Sequence, residues 1–362
     1  RWLAAPSLAA GMGGAGTPEN IIRPPVQVWE KVGERVWTNS PPISKIGDQP
    51  QVTGLIGART ALSSGTGTPA QYVEAAKAAG LDFIVFLEDS LHMNQQGWDE
   101  LAKQCDALSD AKFSAVPGLT YEDAQGDHLY AFADEVKFPK PEMLLPDKRL
   151  ATVQSMRSRA LFDYVNEYMG QHILSGYWRH DENFLHVADY KLYNSFPIYS
   201  AENGKAVDDA FDEYAHQMSI GAAQAALAFE IMTSPDQVAD RAENGWRVVW
   251  YRGVQDLRGK WHHGAWSFHG MMSQYVTNGP SILVWQAPNR LTDPHGEWWR
   301  PDLWEFRVRI RAASEDGLKS VSIYDGERLF RRWLPGGAKK FETELVLANC
   351  MQMGLFPVVE DM

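Results

Sequence analysis

Residues 52–87, VTGLIGARTALSSGTGTPAQYVEAAKAAGLDFIVFL, carry the pattern that decides the fold of this chain. The apolar run at 52–56 predicts a buried strand, and Thr68 followed by Pro69 predicts the start of a helix. That helix should end at Gly80, where a second apolar run of strand length, 83–87, soon follows. A strand, a helix and a strand in this order are typical of parallel β/α units.

The same alternation continues downstream. A second helix is predicted at 98–108 and a third strand at 113–116, and another short apolar strand at 248–251. Between them, residues 205–232 form an Ala-rich stretch that predicts one or two helices. We therefore expect an α/β fold built on a parallel sheet.

The pattern changes to a period of two near the C-terminus. Phe306, Val308 and Ile310 alternate with arginines, which is typical of a half-buried strand. Asp325 followed by Gly326 predicts a hairpin turn. These features predict a small, β-sandwich-like antiparallel domain. Its last residues have the pattern of an interrupted strand, so we expect the chain to be a fragment of a longer product.

The expected organisation is therefore threefold. Residues 1–50, rich in Pro, Gly and Asn, predict an extended N-terminal segment. Residues 51–280 should form the β/α domain, and residues 281–362 the antiparallel β domain, truncated at its end.

Composition restricts the classes of partner. The chain has 34 basic and 46 acidic residues and a net charge of −12, which argues against nucleic acid. No apolar stretch approaches the roughly 20 residues of a membrane span. Cys105 and Cys350 fit neither a zinc motif nor a disulfide framework, and we expect buried or unpaired thiols. The 14 tryptophans fit either a large aromatic core or a secreted carbohydrate-binding protein.

The N-terminal residues bear on location. Residues 2–16 are rich in Ala and Gly and could be the remnant of a trimmed export signal or an ordinary flexible terminus. We expect an extracytoplasmic protein, periplasmic or secreted, with a cytoplasmic one as the alternative.

Residues 57–65, GARTALSSG, resemble the first motif of the PHP (polymerase and histidinol phosphatase) superfamily. That motif has a His-any-His pair, then Thr, two variable residues, Ser, Asp and Gly. Residues 75–84 resemble the first helix and second strand of the family, and 126–128 lie near its Gly-His signature. Residues 275–280 resemble a junction of the carbaryl-hydrolase-like branch that precedes a β domain. The resemblance implies a distorted seven-stranded β/α barrel with its active site at the carboxyl ends of the strands.

The chain departs from the family at the metal-binding positions. Gly57 and Arg59 occupy the two His positions of the first motif; glycine has no side-chain ligand, and a guanidinium would repel a metal ion. Arg59 could instead fill the place of a metal and pair with Glu88 or Asp89. The alternative is that Arg59 points to solvent.

Other family positions are also altered. Glu88 and Asp89 lie where the family has Asp and His, and Thr120 replaces the Glu that follows the Pro-Gly strand end. The remaining metal-ligand candidates, each a weak one, are Glu88, Asp89, Glu122, His128 and Asp256. The candidate catalytic residues are Glu88, Asp89, His128, His180, Asp181 and Glu202.

The resemblance implies a trinuclear hydrolytic centre, which needs several His and carboxylate ligands. Because most of these are replaced, we expect a non-catalytic PHP-fold protein without cofactor, a structural, assembly or ligand-binding subunit. Its partners would be other protein subunits, a small molecule or a glycan. The alternatives are a phosphoester, ester or amide hydrolase with a rebuilt site for a single divalent metal, or a secreted carbohydrate-active enzyme that uses two carboxylates.

Overall fold

The structure is a computed structural model. It describes residues 3–4, 27–37, 52–126, 128–132, 136–140, 143–144, 150–152, 155–156, 160–161, 164, 173–177, 196–209, 211–212, 214–215, 226–250, 274–278, 282–286, 305–348 and 355–362. The chain divides into two compact units. One, which we call the α/β unit, comprises residues 51–211 and 227–266. The other, the β unit, comprises residues 1–50, 212–226 and 267–362.

The helices and strands are numbered in chain order. The helices are α1 Pro69–Ala78, α2 Gln95–Leu108 and α3 Gln237–Asn244. The first strands are β1 Leu3–Ala4, β2 Gln27–Trp37, β3 Val52–Ala58, β4 Phe83–Phe86, β5 Glu88–Asp89, β6 Ser114–Val116, β7 Gly118–Glu122, β8 His128–Phe132, β9 Met143–Leu144, β10 Leu150–Ala151 and β11 Ile173–Tyr177. The later strands are β12 Phe196–Glu202, β13 Lys205–Asp209, β14 Ala226–Ile231, β15 Arg247–Trp250, β16 Gln274–Thr277, β17 Ile282–Gln286, β18 Glu305–Ala313, β19 Leu318–Asp325, β20 Arg328–Trp333, β21 Lys340–Ala348 and β22 Leu355–Asp361.

The α/β unit is built on parallel strands joined by helices, as the sequence predicts. β3 pairs with β4 in parallel, and β4 pairs with β6 in parallel. Helix α1 connects the first pair and α2 the second. β15 lies antiparallel on the other side of β3. The strands are mostly apolar and largely buried, as expected when both faces of such a sheet are covered.

The helix ends follow from local sequence. Thr68 and Gln71 form a capping box at the start of α1: the Thr68 hydroxyl accepts from the Gln71 N–H, and the Gln71 side chain accepts from the Thr68 N–H. α2 begins three residues earlier than predicted because the Asn94 side chain accepts from the Gly97 N–H. Cys105 on α2 is buried, as expected.

The prediction of one or two helices in the Ala-rich stretch 205–232 is only partly right. Residues 211–212 and 214–215 are helical, but the stretch also contains two strands, β13 and β14. β13 pairs antiparallel with β12, and every residue of β14 is buried. Small and apolar residues suit a strand with neighbours on both faces as well as they suit a helix, so composition alone misled the interpretation.

The β unit is antiparallel in its described pairings. One of its sheets runs in the order β17-β18-β21-β2, and β20, β19, β22, β1 and β16 are neighbours in another. The hairpin β19–β20 confirms the turn predicted near Asp325, with Gly326 and Glu327 as the loop residues. Gly326 has a φ of 58°, the left-handed conformation that this tight loop requires. Within the described parts of the chain, none of the helices has the length and apolar character of a membrane span.

Candidate functional site

The carboxyl ends of three strands of the α/β unit meet at one edge. The Leu87 N–H, just after β4, donates to the Ala58 carbonyl at the end of β3 (2.9 Å). The Arg59 N–H donates to the Met232 carbonyl just after β14 (2.9 Å), and Ala58 and Met232 form a parallel bridge. We call this region the polar edge and define it as residues 59–66, 87–92, 202–203 and 232–237.

Glu88 is the buried centre of the polar edge. It begins β5 and has no exposed surface. Its Oε1 accepts from the Thr60 hydroxyl (2.6 Å) and the Thr60 N–H (3.1 Å). Its Oε2 accepts from the same N–H (3.0 Å) and from the Ser63 hydroxyl, a short hydrogen bond. Since all these groups donate, the arrangement is built around an acceptor, and it ties the loop after β3 to the start of β5.

Opposing effects act on the charge of Glu88. Burial raises the pKa of its carboxyl, because a charged group is disfavoured away from water. The hydrogen bonds from Ser63 and Thr60, and then the nearby charge of Arg59, lower the same pKa, but burial is the larger effect. The hydrogen bonds and the charge of Arg59 therefore offset only part of the cost of burying the Glu88 carboxylate.

Arg59 lies along the polar edge with only 13% of its side chain exposed. Its Nε donates to the Leu87 carbonyl (3.2 Å), and its Nη1 lies 3.9 Å from Oε1 of the half-exposed Glu202. The Tyr72 hydroxyl on α1 donates to the Arg59 carbonyl (2.7 Å) and holds the backbone there. The nearest carboxylate partner is thus Glu202, and Arg59 acts on Glu88 through space. That Arg59 takes the place of a metal stays a prediction.

Gly57 is closed off by the backbone of β14. Its φ is 135°, and a Cβ added there would lie 2.5 Å from the Glu230 carbonyl oxygen. The Gly57 carbonyl accepts from the Met232 N–H (3.0 Å). No side chain fits at this position without a shift of one of the two backbones.

The other candidates form separate pairs. Asp89 Oδ2 lies 2.7 Å from Nδ1 of His92, whose side chain is 63% exposed. Glu122 and His128 face each other across the β7–β8 hairpin, with Oε2 and Nε2 3.7 Å apart. The structure thus brings Glu88, Asp89, Arg59 and Glu202 to one edge, whereas His180, Asp181 and Asp256 lie outside the described residues.

The residues present do not fit a family-type metal centre. Gly57 supplies no ligand, Arg59 supplies a cation, and both oxygens of Glu88 already accept hydrogen bonds. The buried Thr120, in the family's Glu position, donates its hydroxyl to the Leu87 carbonyl (3.3 Å). In the described part of the chain, no group of three or more His, Cys, Asp or Glu side chains is arranged to hold a metal ion.

Sequence reasoning missed the two partners of Glu88. Thr60 and Ser63 were part of the motif that carried the family resemblance, but no role was assigned to them. Their spacing, Thr followed three residues later by Ser in a loop after a buried strand, is the signal that could have identified them. Sequence reasoning also did not single out Glu230, a buried carboxyl on β14 whose Oε1 accepts from the Trp246 N–H (2.8 Å).

No protein-family profile matches the chain, and no curated protein matches it. Among solved structures, it is similar to a two-domain protein containing predicted PHP-like metal-dependent phosphoesterase from Bacteroides vulgatus ATCC 8482, at 10% identity over 85% of this chain and 90% of that chain, with a TM-score of 0.44. It is also similar to PsfC from Pseudomonas syringae PB-5123, at 12% identity over 57% of this chain and 87% of that one, with a TM-score of 0.36. A third similar structure, assigned as a metal-dependent phosphoesterase from Bifidobacterium adolescentis ATCC 15703, has 26% identity over 22% of this chain and 27% of that one, with a TM-score of 0.18.

Proposed function

We propose that this chain is a PHP-type protein that has lost the trinuclear hydrolytic centre and serves as a non-catalytic structural, assembly or ligand-binding subunit. The proposal includes a distorted β/α barrel followed by a small antiparallel β domain. The parallel strands β3, β4 and β6 with their connecting helices support it, as does the parallel bridge from β3 to the end of β14. The motif at residues 57–65 lies at the carboxyl end of β3, where the family has its site.

The observation that carries the proposal is the inward-facing carboxylate of Glu88. A hydrolytic carboxylate must present a lone pair to a metal ion or to the attacking water. In this chain both oxygens are used by Thr60 and Ser63. The hydrogen bonds of Glu88 therefore link two loops of the polar edge and stabilise their positions.

Arg59 supports the same conclusion from charge. A guanidinium provides a fixed positive charge near a buried carboxylate, which offsets part of the cost of burying it. It cannot coordinate water or lower the pKa of a bound water, because it has no empty coordination position and does not lose its proton. Arg59 thus replaces the electrostatic effect of a metal ion but not its chemistry.

Metal content is the direct test. We expect the purified full chain, dialysed first against a chelator and then against Zn²⁺ or Mn²⁺, to retain no stoichiometric metal by inductively coupled plasma mass spectrometry. Its melting temperature should be the same with and without the chelator. Stoichiometric zinc, manganese or iron retained by the wild type and lost in Glu88→Gln would refute the proposal.

A second candidate function rests on the Asp89–His92 pair. The carboxylate fixes Nδ1 of an imidazole that is open to solvent, which is the arrangement of a general base. A hydrolase with a rebuilt site would use this pair. Turnover of generic phosphoesters and esters that is present in the wild type and lost in His92→Gln would favour this function, and equal background rates in both proteins would exclude it for those substrates.

A further inference from the structure

β20 lies at the end of a sheet in the β unit. It pairs antiparallel with β19, from Val321↔Trp333 to Asp325↔Arg328, and among the described strands it has no second neighbour. The pairing shifts register between Ile323 and Tyr324. The outer side of an edge strand presents backbone N–H and C=O groups that its own sheet does not use, and an extended peptide can pair with them.

The hairpin that contains β20 is opposite in charge to the protein as a whole. Residues 318–333 hold two acidic residues, Asp325 and Glu327, against four basic ones, a net charge of +2 in a chain of net charge −12. The basic residues are Lys319, Arg328, Arg331 and Arg332. A local field of this sign attracts an acidic segment and repels a basic one.

The arginines of β20 are held in place on both faces of the strand. Arg332 donates from Nε to the Ser322 hydroxyl (3.0 Å), and its Nη2 lies 3.4 Å from the Tyr324 hydroxyl. The guanidinium of Arg331, which neighbours it in sequence, lies 5.6 Å from the centre of the Trp333 ring. Neighbouring residues of a strand point to opposite faces, so a strand added at this edge would meet positive charge on each face. Side chains positioned in advance lose less entropy when a partner binds.

Apolar side chains accompany this charge. Leu329 within β20 is 42% exposed, and Leu334 immediately after it is 75% exposed. Charged residues on an edge strand often serve only to prevent aggregation. That role explains the arginines but not two exposed leucines, which work against it. Both features together suit a binding surface with apolar contacts and charged surroundings.

We propose that β20 is a docking site for an extended acidic segment of a partner protein, which pairs with its outer edge as an additional strand. Backbone hydrogen bonds to β20 would supply affinity in any sequence, and carboxylates facing Arg328 and Arg331 would supply specificity. Leu329 and Leu334 would contact apolar residues of the same segment. This proposal does not depend on the polar edge or on whether the chain binds a metal ion.

The experiment uses a short fluorescent peptide of alternating glutamate and valine, titrated into the full chain and followed by anisotropy. We expect saturable binding that weakens with added salt, and slower hydrogen exchange at the amides of β20. The double variant Arg328→Glu/Arg331→Glu should bind about ten-fold more weakly or worse, since two charge-assisted contacts become repulsive. The double variant Arg328→Gln/Arg331→Gln removes the attraction without adding repulsion. Its affinity for the peptide should lie between that of the wild type and that of the glutamate variant.

Matched controls separate the proposal from simple charge effects. Lys103→Glu/Lys137→Glu changes the net charge by the same amount at exposed positions of the α/β unit and should leave binding unchanged. A lysine–valine peptide, and a glutamate peptide interrupted by prolines, should both fail to bind. Equal binding by the proline-containing peptide, equal binding by the arginine variants, or no binding at all would overturn the proposal. Binding to vesicles of phosphatidylcholine and phosphatidylserine without binding of the peptide would overturn it in favour of an anionic membrane.

Discussion

Replacing Glu88 by alanine tests whether the buried carboxylate stabilises the α/β unit. The side chain is fully buried and accepts hydrogen bonds from the Thr60 N–H, the Thr60 hydroxyl and the Ser63 hydroxyl. The substitution removes the acceptor of all three donors at once. It also removes the buried negative charge near Arg59.

The expected cost follows from these contacts. A buried N–H without an acceptor costs about 1–3 kcal/mol, and the space left by the side chain adds about 1 kcal/mol or more. The hydroxyls can rotate toward other acceptors, and the loss of a desolvated charge is favourable, so the contributions do not simply add. Removing one partner of a buried ionic network typically costs about 3–5 kcal/mol. For a unit of this size, such a loss lowers the melting temperature by about 10 °C.

Differential scanning calorimetry at neutral pH, together with urea denaturation, measures the loss of stability. Glu122→Ala is the control, since that carboxylate is 48% exposed, and it should change the free energy of unfolding by no more than about 0.5 kcal/mol. If Glu88→Ala does not fold, Thr60→Val, which removes one hydroxyl donor, should still cost about 1 kcal/mol. A loss below about 1 kcal/mol for Glu88→Ala would refute the structural role of the carboxylate.

Three further predictions concern the same unit. Gly57→Ala should lower the free energy of unfolding of the α/β unit by more than about 2 kcal/mol in urea denaturation. The new Cβ would press on the Glu230 carbonyl, and the φ of 135° at this position is unfavourable for alanine. An unchanged denaturation midpoint would contradict this packing. Burial raises the pKa of Glu88 above its ordinary 4.5, so the folded chain binds this proton more tightly than the unfolded chain. The free energy of unfolding of the wild type, measured relative to that of Glu88→Gln, should therefore rise as the pH falls through the pKa of the folded state toward 4.5. A difference that becomes smaller over this pH range would contradict the prediction. Thr68→Ala removes the capping box of α1 and should cost about 1 kcal/mol by thermal denaturation, whereas no change would mean that water satisfies the helix end equally well.

The parallel β/α part of the fold was predictable because its signals are local. Thr68 and Pro69 mark the start of α1, and the largely apolar runs of β3 and β4 are short enough to be strands. The stretch 205–232 was not predictable in the same way. Residues 211–212 and 214–215 follow the local preference for a helix, whereas pairing with β12 makes residues 205–209 a strand.

Some residues of the candidate site were identified from the sequence, but their contacts were not. The resemblance to a metal-binding motif directed attention to Gly57, Arg59, Glu88 and Asp89, and the structure places all four at the ends of neighbouring strands. It did not reveal that Glu88 turns inward to Thr60. The spacing of Thr60 and Ser63 marks them as candidate donors, but which carboxylate they reach depends on how the fold brings the two loops together.

The contact between residue 57 and β14 also limits how the polar edge could be redesigned. A histidine introduced at residue 57 would meet the Glu230 carbonyl before its imidazole could reach an ion, so the first effect of the substitution would be a loss of folded protein. A protein engineer who wants a metal ligand at the end of β3 would therefore have to move β14 outward first.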